Sequence, residues 1–296
     1  MISSDARAAA RAGTLLAQGE SSLESAGVAE AGLNCAWLLA HVLKTDRLAL
    51  LADRGRLVPV SSVRSFKRLV ARKAGGEPLA YILGSQPFCG LSLKVDARVL
   101  VPRPETEELA GFAADFLLKR FRPGGANAAG PEILDFGTGS GAIALALADK
   151  FRAARITAAD KSRRALACAA ENARALDCAG RIKFMAVSAV RDCGGPFDLI
   201  VSNPPYIPTG VIAGLDREVR AEPRLALDGG ADGLAVAGRI IAQAPAALKK
   251  GGALFMEMGD TQSSAALKLL GAGSWKVRRI LKDLCGKKRF LFAIKK

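Results

Sequence analysis

The segment Asp135-Phe136-Gly137-Thr138-Gly139-Ser140-Gly141 constrains the fold of this chain more than any other. The apolar pair Ile133-Leu134 runs into it, and the apolar stretch Ala142 to Ala148 runs out of it. A strand, a glycine-rich turn and a helix in that order open a β-α-β unit. Glycine permits the sharp turn and leaves a backbone that a ligand can approach without meeting a Cβ. The alternation then continues. Ile156 to Ala159 reads as a second strand and Arg163 to Leu176 as a helix; further strands fall at Ile182 to Val187, Phe197 to Val201 and Ala253 to Met258. This pattern calls for an α/β fold, a parallel sheet with helices on both faces.

The turn itself narrows the ligand. A dinucleotide favours GxGxxG, whereas the spacing here is GxGxG, and a nucleoside triphosphate needs a GK[ST] that is absent. S-adenosylmethionine carries an ammonium and a sulfonium, so an acidic Asp135 in the turn makes electrostatic sense. Asp160 ends the next strand, 23 residues after Gly137, where a carboxylate can accept hydrogen bonds from ribose hydroxyls.

A second motif, Ser202-Asn203-Pro204-Pro205-Tyr206, follows the strand Phe197 to Val201. Ligands of open α/β sheets bind outside the carboxyl ends of strands, so this run is expected to face the same crevice as the glycine turn. The Asn203 amide oxygen and the Pro204 carbonyl are both acceptors, able to hold an –NH₂ by its two hydrogens. Two prolines stiffen the turn. Tyr206 offers a flat face for a planar group. An amide or aminopurine nitrogen is a poor nucleophile because its lone pair is delocalised; accepting its hydrogens returns density to nitrogen and aims it at an electrophilic methyl. No strong base is needed before attack, which fits a chain whose single histidine, His41, sits in a helical segment and reads as structural. Glutamine, asparagine, adenine and cytosine all present such an –NH₂.

Upstream the character changes. Residues 6 to about 75 read as a helical bundle: Leu15-Leu16 through Leu43 gives two helices broken near Gly27, and Val63, Phe66, Leu69 and Val70 share the face of another that Gly75-Gly76 ends. Between 80 and 104, Leu91, Leu93 and Val95 alternate with polar neighbours after Gly90, and Pro102-Arg103-Pro104 follows, which reads as a hairpin and a stiff linker. Pro104 suits the first turn of a helix from Glu105 to Lys119. Gly124 to Gly130 reads as a loose linker. The domains expected are therefore 1–78, helical; 79–104, hairpin and linker; and 105–296, the α/β domain.

Charge and cysteine use bound the setting. The formal net charge is +15, and the segment from Lys249 to Lys296 holds twelve basic residues against three acidic ones. That excess sets an expectation of weak nucleic-acid or ribosome contact through the basic C-terminal segment. The six cysteines show neither CxxC nor metal-ligand spacing, so no metal is expected and reduced thiols in the cytoplasm are. Asp5 and the lack of an apolar core near the N-terminus speak against a secretory signal, and no run is long enough to span a membrane.

Taken together, these residues resemble the release-factor glutamine methyltransferase family (HemK/PrmC). The resemblance rests on Gly76-Glu77-Pro78-Leu79-Ala80-Tyr81-Ile82-Leu83-Gly84, on Pro102-Arg103-Pro104-Glu105-Thr106, on Glu171-Asn172-Ala173, on the run through Ile207, and on Glu222-Pro223 with Leu225-Ala226-Leu227. It implies a seven-stranded, Rossmann-like class I methyltransferase domain behind a small helical substrate-recognition domain and a hairpin linker. It also implies methylation of the N5 amide of the glutamine in the Gly-Gly-Gln tip of class 1 peptide chain release factors, with S-adenosylmethionine converted to S-adenosylhomocysteine. Carried over, Asp135, Gly137, Thr138, Gly139, Ser140, Gly141, Asp160, Ser188 and Asn203 hold the cofactor. Asn203, Pro204, Pro205 and Tyr206 hold the glutamine amide, with Asn203, Pro204 and Tyr206 catalytic, and Arg103 and Glu105 lie near the substrate. One departure is local: where the family commonly has an acidic residue and an aromatic near the adenine, this chain has Val187-Ser188-Ala189-Val190, so no stacking ring is carried over. A glutamine methyltransferase acting on a ribosomal protein and an adenine amino methyltransferase acting on RNA or DNA share the active-site motifs.

Overall fold

The computed structural model of the chain describes residues 10–121, 130–271 and 273–296. The expected start of the helical segment at 6–9, Asp5, and most of the linker expected at 124–130 lie outside the described residues. The chain divides into two compact units: residues up to Gly84 with Asp216–Ala221, and Ser85–Leu215 with Glu222–Lys296.

The first unit is helical. Strand β1 (Ala10–Arg11) pairs antiparallel with β2 (Leu57–Val58) beside helices α1 (Ala12–Ser25), α2 (Ala31–Leu43), α3 (Arg47–Ala52), α4 (Val60–Ala74) and α5 (Leu79–Leu83). Gly27, where a break was expected, has φ +73° between α1 and α2. Leu15, Leu38, Leu39, Phe66 and Val70 form one apolar core, which Ile82 of α5 joins. The linker expected from residue 79 therefore begins, in the structure, with a helix packed into the first unit. Lys73 is buried and escapes an unpaired charge by bonding Glu218 at 2.5 Å, within the same unit. His41 is exposed in the last turn of α2 and takes no part in this core.

The second unit opens on the hairpin β3 (Ser85–Phe88) and β4 (Leu91–Lys94). Its two-residue turn, Cys89-Gly90, has positive φ at both positions, the conformation whose twist matches the paired strands. Helix α6 (Pro104–Arg120) starts at the proline that needs no N–H there. There follow β5 (Glu132–Phe136), α7 (Ala142–Lys150), β6 (Arg155–Asp160), α8 (Arg163–Ala175), β7 (Ile182–Ala186), β8 (Phe197–Ser202), the short α9 (Arg217–Arg220, in the first unit) and α10 (Arg224–Leu227), α11 (Ala235–Ala247), β9 (Leu248–Glu257), α12 (Ser263–Leu270), β10 (Trp275–Lys282) and β11 (Lys288–Lys295).

Seven of these strands form one sheet in the order β10-β11-β9-β8-β5-β6-β7. β9, β8, β5, β6 and β7 run parallel, while β11 is antiparallel to both β9 and β10. Alternate residues bury opposite faces: Ile133, Leu199 and Val201 pack on the side of α6 and α7, and Leu134, Ile200 and Leu254 on the side of α11 and α12. The chain moves outward from β5 to β6 and β7, then returns to the other flank of β5 as β8, so the topological switch point lies between β5 and β8.

The final antiparallel pair absent from the strands read in sequence accounts for the place of the basic tail. Lys276, Arg278, Arg279 and Lys282 are exposed on β10, the edge strand, where charge discourages pairing with another sheet. Among the described residues no helix is long and apolar enough to cross a membrane.

Candidate active site at the switch point

A cavity of about 560 Å³ opens at the carboxyl ends of β5, β6 and β8, within the second unit. Its lining includes Gly137, Thr138, Gly139 and Ser140 from the glycine turn, Asp160, Ser188, Asn203 and Pro205. The crevice rule placed the two motifs together, and they do share one cavity. The volume lies in the range of roughly 300–1,000 Å³ usual for small-molecule sites.

The glycine turn is shaped from beneath. Asp135 is fully buried; its Oδ2 accepts from the Thr138 hydroxyl at 2.6 Å and from the Ala144 N–H at 3.1 Å in the first turn of α7. Its Oδ1 has no partner. Burial pushes the Asp135 carboxyl up to about 7 against those two hydrogen bonds. Asp135 and Gly141 are absent from the cavity wall, and both brace it. Gly141 has φ +85°, and a Cβ there would meet Leu145 Cδ1 at 3.1 Å and Ala169 Cβ at 3.2 Å. A Cβ on Gly139, by contrast, would meet nothing within 4 Å, because that glycine faces open space. Asn172 of α8 ties the turn to the hairpin, donating to Ser140 O at 2.9 Å and to Lys94 O at 3.0 Å.

Asp160, at the end of β6, is held beside the turn. Oδ2 accepts from the Gly139 N–H at 2.9 Å and Oδ1 from the Ser162 N–H at 2.7 Å, so the carboxylate is fixed with lone pairs to spare. Burial raises its pKa, and the backbone hydrogen bonds oppose that rise.

Asn203 follows β8, and its Nδ2 donates to Thr106 Oγ1 at 2.9 Å. The Thr106 hydroxyl donates in turn to Glu257 Oε2 at 2.8 Å. Glu257 Oε1 accepts from the Tyr206 hydroxyl at 3.3 Å. Burial first, and then Glu105, push Glu257 up to about 7, while Thr106, Tyr206 and Arg289 pull it down. Burial and the nearby Glu257 also raise the Tyr206 phenol.

The remaining predicted residues fall into place unevenly. Pro204 is buried and Tyr206 is anchored through its hydroxyl, and neither is on the cavity wall. Arg103 is bonded to buried Glu222, and Glu105 lies 3.9 Å from Arg289. Within that proline-flanked stretch it is Pro102 and Thr106 that reach the cavity. Pro102 and Arg103 precede α6, Arg103 as its extended N-cap, while within the first turn Glu105 and Thr106 point about 100° apart around the helix axis. Sequence reasoning passed over Glu257, Arg191, Arg239 and Gln243. A signal existed for Glu257 alone, as the single charge in the apolar strand ending at Met258.

The sheet order, the turn and the switch-point cavity define a class I methyltransferase fold. The catalytic domain of hMettl16, solved in complex with MAT2A 3′UTR hairpin 6, shares it at a TM-score of 0.54 and 17% identity over 81% of this chain and 84% of that one. A PrmC N-terminal domain model matches residues 14–84, and a methyltransferase small domain model matches 110–213. The release factor glutamine methyltransferase of Deinococcus radiodurans is 40% identical over 94% of this chain and 96% of its own length. That of Bradyrhizobium diazoefficiens is 42% identical over 92% and 91%. The chain belongs to the release factor glutamine methyltransferase family.

Proposed function

We infer that this chain is a cytoplasmic S-adenosylmethionine-dependent enzyme that methylates a glutamine side chain of peptide chain release factors, at the N5 nitrogen of the Gly-Gly-Gln tip in class 1 factors. The observation that carries the reading is the position of Asn203 on the wall of the cavity that the glycine turn also lines, with its amide nitrogen already committed to Thr106.

The residues present fit the methyl donor. Gly137 and Gly139 leave room for close backbone approach, and Asp160 has lone pairs for the ribose hydroxyls. Ser188 lines the cavity where the adenine is expected, and buried Asp135, with Oδ1 unpartnered and its pKa pushed up to about 7, gains its charge most readily beside a cation such as the methyl donor. When bound, S-adenosylmethionine supplies an electrophilic methyl on a positively charged sulfur.

The chain's own contribution is positioning and electrostatics. Asn203 Oδ1, on the cavity wall, accepts one N–H bond of the substrate amide, and the carbonyl of the adjacent Pro204, whose side chain lies off that wall, is the second acceptor. This holds the nitrogen in place, returns electron density to it and stabilises the positive charge that grows there. The proton is acidic once that charge has formed, so water can remove it and no histidine is required. Pro204 and Pro205 restrict the backbone that presents both acceptors.

The test is transfer of labelled methyl to a release factor, to the same factor with its tip glutamine replaced by alanine, and to bulk RNA. Label is expected in the intact factor alone. Label in the RNA alone, or in the altered factor as strongly as in the intact one, contradicts the reading.

A further inference from the structure

The proposed role of Asn203 depends on which end of its side-chain amide faces the substrate. An asparagine amide carries an acceptor and a donor of nearly the same size, so its shape does not select an orientation. We propose that Thr106 and Glu257 are positioning residues that lock the Asn203 amide with its nitrogen held back and its oxygen presented to the substrate; this rests on the function proposed above.

The selection follows from the direction of each hydrogen bond. Glu257, the last residue of β9, is 1% exposed. In its ionised form, which dominates above its raised pKa of about 7, it can only accept. The Thr106 hydrogen is therefore committed to Glu257 Oε2 at 2.8 Å. What Thr106 Oγ1 offers on its other side is lone pairs, and these accept from Asn203 Nδ2 at 2.9 Å. An inverted amide would set oxygen against oxygen with no proton between them, and the buried setting leaves little water to relieve it. The Tyr206 hydroxyl, 3.3 Å from Oε1, donates to the same carboxylate and holds its second oxygen. Glu105 and Arg289 also face this group, with opposite electrostatic effects on it.

The three residues come from separate elements. Thr106 lies in the first turn of α6 and is 4% exposed, Asn203 follows β8, and Glu257 ends β9. Thr106 itself reaches the cavity wall, so the relay ends at the site rather than in the core.

Thr106→Val tests this, since it keeps the side-chain volume and removes both donor and acceptor. With a release factor as substrate and saturating S-adenosylmethionine, kcat is expected to fall about 10–100-fold, the scale of a small misplacement of a reacting group. KM for the factor and the calorimetric affinity for S-adenosylmethionine are expected to stay within about twofold, because the glycine turn and Asp160 are untouched. Thr106→Ser, which restores the hydroxyl, is expected to recover most of kcat. Should the valine variant fail to fold, Thr106→Ala removes the same hydroxyl with a residue suited to a helix. A wild-type kcat in the hydroxyl-free variant, or a serine variant as slow as it, overturns the relay. A wild-type chain that transfers no methyl to the factor overturns the underlying reading as well.

Discussion

The glycine turn and the Asn203 corner wall the same cavity, yet they are held in opposite ways. The turn is local. Asp135, Thr138 and the Ala144 N–H lie within nine residues of one another, and Asp160 reaches the Gly139 N–H from the end of the adjacent strand. The corner is assembled from afar: the Asn203–Thr106 bond spans 97 residues of sequence, and the Thr106–Glu257 bond spans 151. On the proposed function, the part that would bind a common cofactor is carried by one short motif, and the part that aims the nucleophile draws on three separate elements, α6, the end of β8 and β9.

If the comparison holds, damage to the corner strikes turnover and damage to the turn strikes affinity or stability. The largest effect is expected from Asn203→Ala. Loss of the aiming acceptor should lower kcat by about 10²–10³-fold, the scale seen when one preorganised polar group is removed, with S-adenosylmethionine binding largely kept by calorimetry. Full turnover by that variant would remove Asn203 from its role. Next comes Asp160→Ala, which should weaken S-adenosylmethionine affinity by about tenfold or more, since a hydrogen bond to a charged group contributes roughly 1.5–3 kcal/mol. An unchanged dissociation constant would dissociate Asp160 from the ribose.

Two glycines sharpen the division within the turn itself. Gly141→Ala combines positive φ with contacts at 3.1 and 3.2 Å, so it should lower unfolding free energy by about 1–2 kcal/mol or more in chemical denaturation. Gly139→Ala has open space, so its stability loss should be the smaller of the two, while its Cβ intrudes on ligand approach and weakens donor binding. Equal stability losses would show that strain alone governs both positions.

A pH slope completes the set. Burial raises Glu257 from 4.5 to about 7 and Asp135 from 3.8 to about 7. In that window the native state binds more protons than the unfolded chain, so unfolding free energy from these groups falls as pH rises from about 4 to 7. Glu257→Gln should flatten part of this fall, measured by urea denaturation at a series of pH values. A slope identical to wild type would show that Glu257 titrates alike in both states.

Much of this was legible in the sequence. The glycine spacing with its flanking strand and helix located the turn. Asp160 was found by its place at the next strand end, and the rule for open sheets put Asn203 on the same crevice. These signals are local, or repeat with the strand–helix period. Thr106 received no role, while the family resemblance carried over its neighbours Arg103 and Glu105. The structure gives Arg103 to Glu222 and brings Glu105 near Arg289. Glu257 was passed over because an acid in an apolar strand declares its partners only when distant elements meet. Tyr206, expected to present its face, also donates its hydroxyl to Glu257. The last two strands escaped the reading for different reasons: basic residues mask the alternation of the edge strand β10, while β11, inside the sheet, is a continuous apolar run, Phe290 to Ile294, with no alternation to read.

The most direct measurement is a crystal structure of the chain with S-adenosylhomocysteine and a peptide bearing Gly-Gly-Gln. The account predicts the glutamine amide nitrogen at hydrogen-bond distance, about 2.7–3.2 Å, from Asn203 Oδ1, with Asn203 Nδ2 still on Thr106. A glutamine seated away from Asn203, or an Asn203 that turns its nitrogen to the substrate, would contradict it.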